Sequence, residues 1–179
     1  MKVLTLLRHA KSGWDDPVAR DFDRPLNKRG RRAAATVGRA LRAEAIEFDA
    51  IIASPAVRVV ETLQEVSQGY GRPLAPVHDP DLYLASPAVL LDRIQRVGDG
   101  VGRLLVVGHN PGMEQLATLL SGADRSGSLA ELEIKFPTAT IAVIELDVDR
   151  WADVAKGSGT LIRFLRPRDL DPELGPEED

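Results

Sequence analysis

The chain has 179 residues, 44% of them apolar and 28% charged, with no cysteine and a formal net charge of −4. That is one globular domain with enough apolar residues for a core, and the lack of cysteine excludes disulfides, thiolate metal sites and a cysteine nucleophile. Six acids and no base fall in residues 169–179, which leaves 21 acids against 23 bases elsewhere, and no basic stripe interleaved with aromatics marks a nucleic-acid surface.

The opening MKVLTLLRHAK has too short an apolar run for a secretory signal, and no stretch approaches the roughly 18 apolar residues of a membrane span. The expected setting is therefore the cytoplasm, with no membrane and no nucleic acid as partner. Residues 3–7 (VLTLL) form a buried strand. A helix follows over 28–43, with Ala33, Val37, Ala40 and Leu41 at helical spacing. Residues 48–53 (FDAIIA) are a second buried strand. Ser54-Pro55 pairs a good N-cap with a residue favoured at the first helical position, which predicts a helix from there to about 68. Residues 74–77 are a short strand candidate, 87–97 a helix and 103–107 (RLLVV) a third buried strand. Asn110-Pro111 repeats the cap-then-proline pattern ahead of a helix over 111–120. Residues 123–133 read as a polar loop, and 139–146 and 160–165 as further strands, the last nearer an edge. Strands alternating with helices imply an α/β fold with a mostly parallel sheet. The domain spans residues 1–168. Residues 169–179, with Pro172 and Pro176 among the acids, form a tail expected to be disordered.

Three strand ends deliver polar residues. The first delivers Arg8 and His9, the second Ser54 and one helical turn later Arg58, the third Gly108-His109. Ligands of open α/β sheets lie at the carboxyl ends of the strands, so these side chains converge. Singly, each has an ordinary structural use. His9 can cap a strand end, Arg8 can form a surface ion pair, Arg58 can be a solvated helix arginine, and His109 can close a helix entry. Together, two arginines and two histidines make a site for a dianion. Phosphoryl transfer needs positioning, charge stabilisation and an in-line nucleophile, and a neutral imidazole is a competent one. No metal and no cofactor is required. Thr62 lies on the Arg58 face of its helix and is placed to orient it. Arg20, Arg24, Lys28 and Trp14 are candidates for the rim, and His78 reads as an exposed loop histidine.

LLRHAKSGWDD, SPAVRVVET and VVGHNPG together resemble the histidine phosphatase superfamily, with its phosphoglycerate mutase-like fold, and within it the small SixA-type phosphohistidine phosphatases. The resemblance covers about residues 1–165, including DFDRPLNKRG, the DLY segment and FPTATIAVIEL. It implies a three-layer α/β/α fold around a mostly parallel sheet. It makes His9 the phosphoryl acceptor and Arg8, Arg58 and His109 its phosphate-binding partners, with a phosphohistidine intermediate that water hydrolyses.

Two departures from the family pattern stand out. Mutase-like members have an asparagine contacting phosphate where this chain has Asp15; a carboxylate there is repelled, so Asp15 turns away or orients a neighbour. Larger members carry a glutamate proton donor after the middle strand, where this chain reads Asp81-Leu82-Tyr83-Leu84. Asp81 is the nearest acid. A missing strong acid suits a leaving group that departs easily, as the imidazole of phosphohistidine does. The expected substrate is therefore a phosphorylated protein, such as a histidine-phosphorylated signalling or carrier domain. A phosphatase of small phosphomonoesters and a non-catalytic phosphoprotein-binding module are the alternatives.

Overall fold

The computed structural model describes residues 1–14 and 20–175. Asp15 and residues 176–179 of the acidic tail lie outside them. Seven strands, β1 (Lys2–Arg8), β2 (Ala50–Ala53), β3 (Val77–His78), β4 (Arg103–Gly108), β5 (Ser121–Asp124), β6 (Ile141–Leu146) and β7 (Gly159–Leu165), form one sheet in the order β3-β2-β4-β1-β6-β7-β5. β6 runs antiparallel to both its neighbours, and every other pairing is parallel. The helices are α1 (Lys28–Ala43), α2 (Val57–Tyr70), α3 (Pro87–Gln95), α4 (Gly112–Leu120), α5 (Leu129–Ile134) and α6 (Pro167–Leu170).

The three layers follow from the two-residue period of the central strands. Leu4 and Leu6 of β1 and Leu104 and Val106 of β4 share one core with Leu90 and Ile94 of α3 and Leu116 and Leu120 of α4. Leu7, Leu105 and Val107 point the other way, into a core with Val37 and Leu41 of α1 and Val59 and Leu63 of α2. Burial on both faces makes β1 and β4 continuous apolar runs rather than alternating ones. On the second face α1 and α2 cross at backbone distance. A Cβ on Gly38 would stand 2.2 Å from the Val66 carbonyl oxygen, and one on Gly69 2.1 Å from that of Ala35. Only glycine permits that approach, and it seats α2, the helix that carries Arg58.

Four expectations change. The second helix starts at Val57, two residues beyond the proposed Ser54-Pro55 cap; Ser54 is fully buried and its hydroxyl is used elsewhere. The fourth starts at Gly112, although the Asn110 side chain does accept from the Glu114 amide at 3.2 Å. The expected polar loop over 123–133 contains the end of β5, paired with β7, and α5, whose Leu132 is fully buried. The expected disorder from Asp169 is corrected as far as Gly175. Leu174 is buried against the α1–α2 side, a contribution of about 2 kcal/mol, and Arg32 of α1 pairs with Asp171 and Glu173 at 2.7 Å each. The acids that made the segment look unstructured face a basic helix. No helix among the described residues is long and apolar enough to cross a membrane.

Candidate active site

Strand register assembles the site. Arg8 pairs with Gly108 across β1 and β4, and Ala53 pairs with Val107 across β2 and β4. The next residues, His9, Ser54 and His109, therefore leave three adjacent parallel strands at one level. The His9 and Ser54 amides donate to the Gly108 and Val107 carbonyls at 3.1 Å, extending the ladder to the site. From β6's side, the Ala139 amide donates to the carbonyls of Arg8 and His9 at 3.0 Å. Arg8, His9, Arg58 and His109 line one cavity of about 380 Å³, with Lys11, Asp21, Arg24 and Asn110 among its other walls.

His9 is 7% exposed and its Nδ1 lies 2.7 Å from the Ala10 carbonyl. A carbonyl only accepts, so Nδ1 carries the proton and Nε2 keeps its lone pair. Burial, with the positive charge of Arg8 and Arg58 and the neighbouring His109, holds the His9 pKa down at about 3. The ring is thus neutral across the physiological range. His109 is 2% exposed; its ring centre is 5.3 Å from that of His9, and its Nε2 lies 2.7 Å from the Ser54 hydroxyl. Burial and Arg58 lower its pKa to about 4.

The two arginines are fixed by groups outside the cavity's centre. Arg8 Nη1 donates to the Phe136 carbonyl at 3.0 Å, a carbonyl that also accepts from Asn110. Arg58 is 2% exposed and gives both ends of its fork to Asp21, Nη1 to the backbone oxygen at 2.8 Å and Nη2 to Oδ2 at 3.0 Å. The same Oδ2 accepts from the Tyr83 hydroxyl at 2.5 Å, and Oδ1 from Arg24 Nε at 3.0 Å. The Tyr83 hydrogen bond, with the charge of Arg58, holds the Asp21 carboxyl at about 2, so it is ionised. Thr62 ties the assembly together. Its hydroxyl donates to the Arg58 carbonyl at 2.6 Å and accepts from the Ala10 amide at 2.9 Å, linking α2 to the residue after His9.

What is left unpaired defines the ligand. Arg8 Nε, Arg58 Nε and His109 Nδ1 are buried without a hydrogen-bond partner, on three side chains lining the same cavity. Buried donors left open are costly and rare. Two arginines and a histidine that each keep an unpaired nitrogen and line one cavity suit an acceptor-only oxyanion, beside a ring nitrogen with a free lone pair. Among the described residues, no group of three or more His, Cys, Asp or Glu side chains is placed to hold a metal ion.

Comparison with known proteins gives the same direction. The model of the histidine phosphatase superfamily (branch 1) matches residues 4–83. An uncharacterized Mycobacterium tuberculosis protein is 42% identical over 166 residues, covering 90% of this chain and all of that one. A solved structure of a candidate phosphohistidine phosphatase SixA from Agrobacterium tumefaciens is 30% identical with a TM-score of 0.75, covering 93% of this chain and 98% of that one. The chain belongs to the histidine phosphatase superfamily. The phosphohistidine phosphatase SixA of Escherichia coli is a more distant relative, 26% identical over 167 residues, 92% of this chain and 94% of that one. The chain is accordingly a phosphatase, acting on a phosphorylated substrate, with the α/β fold of the SixA structures.

Of the residues singled out in this histidine phosphatase sequence, the structure brings together His9, Arg8, Arg58 and His109. It does not bring Asp81. That carboxylate is exposed and ion-paired with Arg93, while the Asp81 amide donates to Asp79. The DLY segment contributes Tyr83 to the site instead. Arg24 lines the cavity with its guanidinium 3.9 Å over the Trp14 ring, whereas Arg20 pairs with Asp23 on the surface and Lys28 is exposed outside the cavity. His78 is exposed, its Nδ1 3.3 Å from the Ser54 carbonyl. Sequence reasoning missed Asp21, Tyr83 and the role of Ser54 as the partner of His109. One signal was present: Asp21 precedes Arg24 by three residues within DFDRPLN, the spacing that joins them across the 3₁₀ turn Asp21–Asp23.

Proposed function

We propose that this phosphatase removes the phosphoryl group from phosphohistidine on a protein, through a phosphohistidine on its own His9. His9 Nε2 attacks phosphorus as the P–N bond to the substrate imidazole breaks; the substrate ring, already protonated on its other nitrogen, keeps the electron pair of that bond and leaves as neutral imidazole. Arg8, Arg58 and His109 donate to the phosphoryl oxygens, while His9 stays neutral with its proton on Nδ1. With the Ser54 hydroxyl donating to His109 Nε2, the His109 proton sits on Nδ1. Water then attacks phosphorus, the P–Nε2 bond breaks, and inorganic phosphate leaves. The hydrogen bond from His9 Nδ1 to Ala10 holds the ring through both halves.

The observation that carries the choice of substrate is the state of the cavity's acid. Among the described residues lining it the only carboxyl is Asp21, ionised and bound to Arg58, Arg24 and Tyr83. It has no proton to give, and a phosphorylated imidazole needs least help in leaving. The test is phosphate release from a histidine-phosphorylated carrier domain, with trapping of an acid-labile phosphoenzyme. Wild-type protein is expected to release phosphate and His9→Ala to form no phosphoenzyme. Release no faster than with His9→Ala sinks the reading, and so does strong preference for a sugar or nucleotide phosphate. Phosphate binding without a phosphoenzyme would make the chain a binding module.

A further inference from the structure

A second cavity, of about 400 Å³, adjoins the active site, and Arg8, Lys11 and Thr138 line both. It lies at the same sheet edge. Arg166 and α6 follow the carboxyl end of β7, and Lys135 to Thr138 lead into the start of the antiparallel β6. Its charged lining beyond the shared residues is Arg29, Lys135, Arg166 and Arg168 against one acid, Glu131. Asp169 offsets Arg166 at 2.9 Å, while Asp171 and Glu173 are engaged with Arg32, so among the described residues Lys135 and Arg168 keep the lining in excess of positive charge over Glu131. The floor is apolar, from Ala33, Pro137, Pro167 and Leu174, and Ile134 stands on the rim 80% exposed. The phosphoryl chemistry uses none of this.

We infer that this cavity is a substrate subsite that takes an acidic side chain on an apolar-flanked segment of the protein presenting the phosphohistidine. The inference rests on the reading above for its protein substrate, and on the cavity itself for its charge preference. Arg8, Lys11 and Thr138 belong to both cavities, so one bound segment can place a phosphoryl group in one and a carboxylate in the other. An aliphatic stem ending in a carboxylate matches an apolar floor beneath cationic walls. Rim charges of this kind act on encounter and partner choice more than on the chemical step.

The experiment has two arms, both on the full chain. The first measures by fluorescence anisotropy the binding of a labelled, unphosphorylated Glu- and Ile-containing hexapeptide. Wild-type protein is expected to bind it, Lys135→Glu/Arg168→Glu to bind on the order of five- to tenfold more weakly, and Arg96→Glu/Arg150→Glu, with the same net charge change elsewhere, to bind like wild type. The second compares KM and kcat for phosphohistidine peptides flanked by glutamates or by lysines. The preference for glutamate is expected to lie in KM and to be reversed by Lys135→Glu/Arg168→Glu, with p-nitrophenyl phosphate hydrolysis unchanged within about twofold. Peptide binding that survives charge reversal at Lys135 and Arg168, or equal loss in the control variant, overturns the inference. So does a flanking preference that reversal leaves in place. Charge-dependent peptide binding with no turnover of any phosphohistidine peptide overturns the substrate reading and leaves the anionic subsite standing. Tight binding of a small bis-phosphorylated metabolite in place of the peptide would reassign the cavity to a small substrate and overturn the protein segment.

Discussion

Asp21→Asn tests whether the Arg58 fork is held in place or merely present. Asp21 accepts three hydrogen bonds through its carboxylate: from Arg58 Nη2 at 3.0 Å, Arg24 Nε at 3.0 Å and the Tyr83 hydroxyl at 2.5 Å. The asparagine has the same shape but no charge, and its amide nitrogen cannot accept. Removing one partner of a buried ion pair costs roughly 3–5 kcal/mol. The Asp21 side chain is 37% exposed, so water replaces part of the loss. About 1–2 kcal/mol remains, or roughly 2–8 °C in Tm for a domain of this size. The catalytic effect is larger than the stability effect. Arg58 Nη1 still reaches the Asp21 backbone, but the guanidinium can pivot about that single bond, and misplacement on the scale of 1 Å costs up to about a hundredfold. We expect kcat on a phosphohistidine peptide to fall at least about tenfold. Loss of a carboxylate beside the anion site also removes a repulsion, so inorganic phosphate is expected to inhibit at a lower concentration than in wild type. A fall in kcat with tighter phosphate binding is not what partial unfolding produces. Tyr83→Phe keeps the charge and loses one hydrogen bond, worth about 0.5–1.5 kcal/mol, so it is expected to cost only several-fold. The double variant should match Asp21→Asn within about twofold, because both act through one oxygen. An Asp21→Asn protein with wild-type kcat and wild-type phosphate inhibition refutes the clamp.

Two further outcomes follow from the pKa shifts and from the helix crossing. His9 and His109, held at about 3 and about 4, bind protons in the unfolded chain near 6.5 but not in the folded one, so the unfolded state gains protons first as pH falls. Stability is therefore expected to decline from about pH 6.5 down toward pH 4, read from denaturant midpoints, and the two ring signals in NMR should not titrate between pH 5 and 8 until phosphate is added; a midpoint near 6.5 in the free protein overturns this. Gly38→Ala places a methyl 2.2 Å from the Val66 carbonyl oxygen, and forcing α1 from α2 is expected to cost about 2–3 kcal/mol, a loss that an unchanged thermal midpoint contradicts.

The parts of this molecule legible in sequence are those governed by local pattern. β1, β2 and β4 stand out because burial on both faces leaves them no reason to alternate, and the predicted helix over 28–43 matches α1 because its apolar stripe faces one core. The convergence of Arg8, His9, Arg58 and His109 was also legible, since parallel register places the ends of neighbouring strands at one level. The misses are all long-range. Ser54 looked like a cap because Ser-Pro is a local helix signal, but its hydroxyl has a buried imidazole from β4's end as a partner, 55 positions away. Asp169 to Glu173 looked unstructured because acids and prolines oppose a core, and only the Arg32 face of α1 reveals where they go. Asp81 was the nearest acid in sequence, and sequence distance does not select among residues that a turn can aim outward.

The difference between Asp81 and Asp21 alters the question about the proton donor. Asp81 is spent on Arg93 at the surface, while Asp21 reaches the cavity as a structural anion. Its charge stabilises two arginines and accepts from a tyrosine, and each of those contacts is lost or weakened if it takes a proton. A group that must stay ionised to hold Arg58 cannot also serve as the general acid. General acids contribute roughly 10²–10⁴-fold, and that factor matters for an alkoxide, whose conjugate acid ionises near the 15.7 of water. It matters far less for a phosphorylated imidazole protonated on its other nitrogen, which leaves as a neutral ring whose conjugate acid ionises near 6.5. On the proposed reading, the site selects on the leaving atom. Among the described residues it offers the phosphoryl oxygens Arg8, Arg58 and His109, and no carboxyl free to protonate a poor leaving group. On the proposed reading, discrimination against alkyl phosphates comes from the lack of a free acid among the described residues lining the cavity. The carboxylate that would have to supply a proton is the one that keeps Arg58 in position.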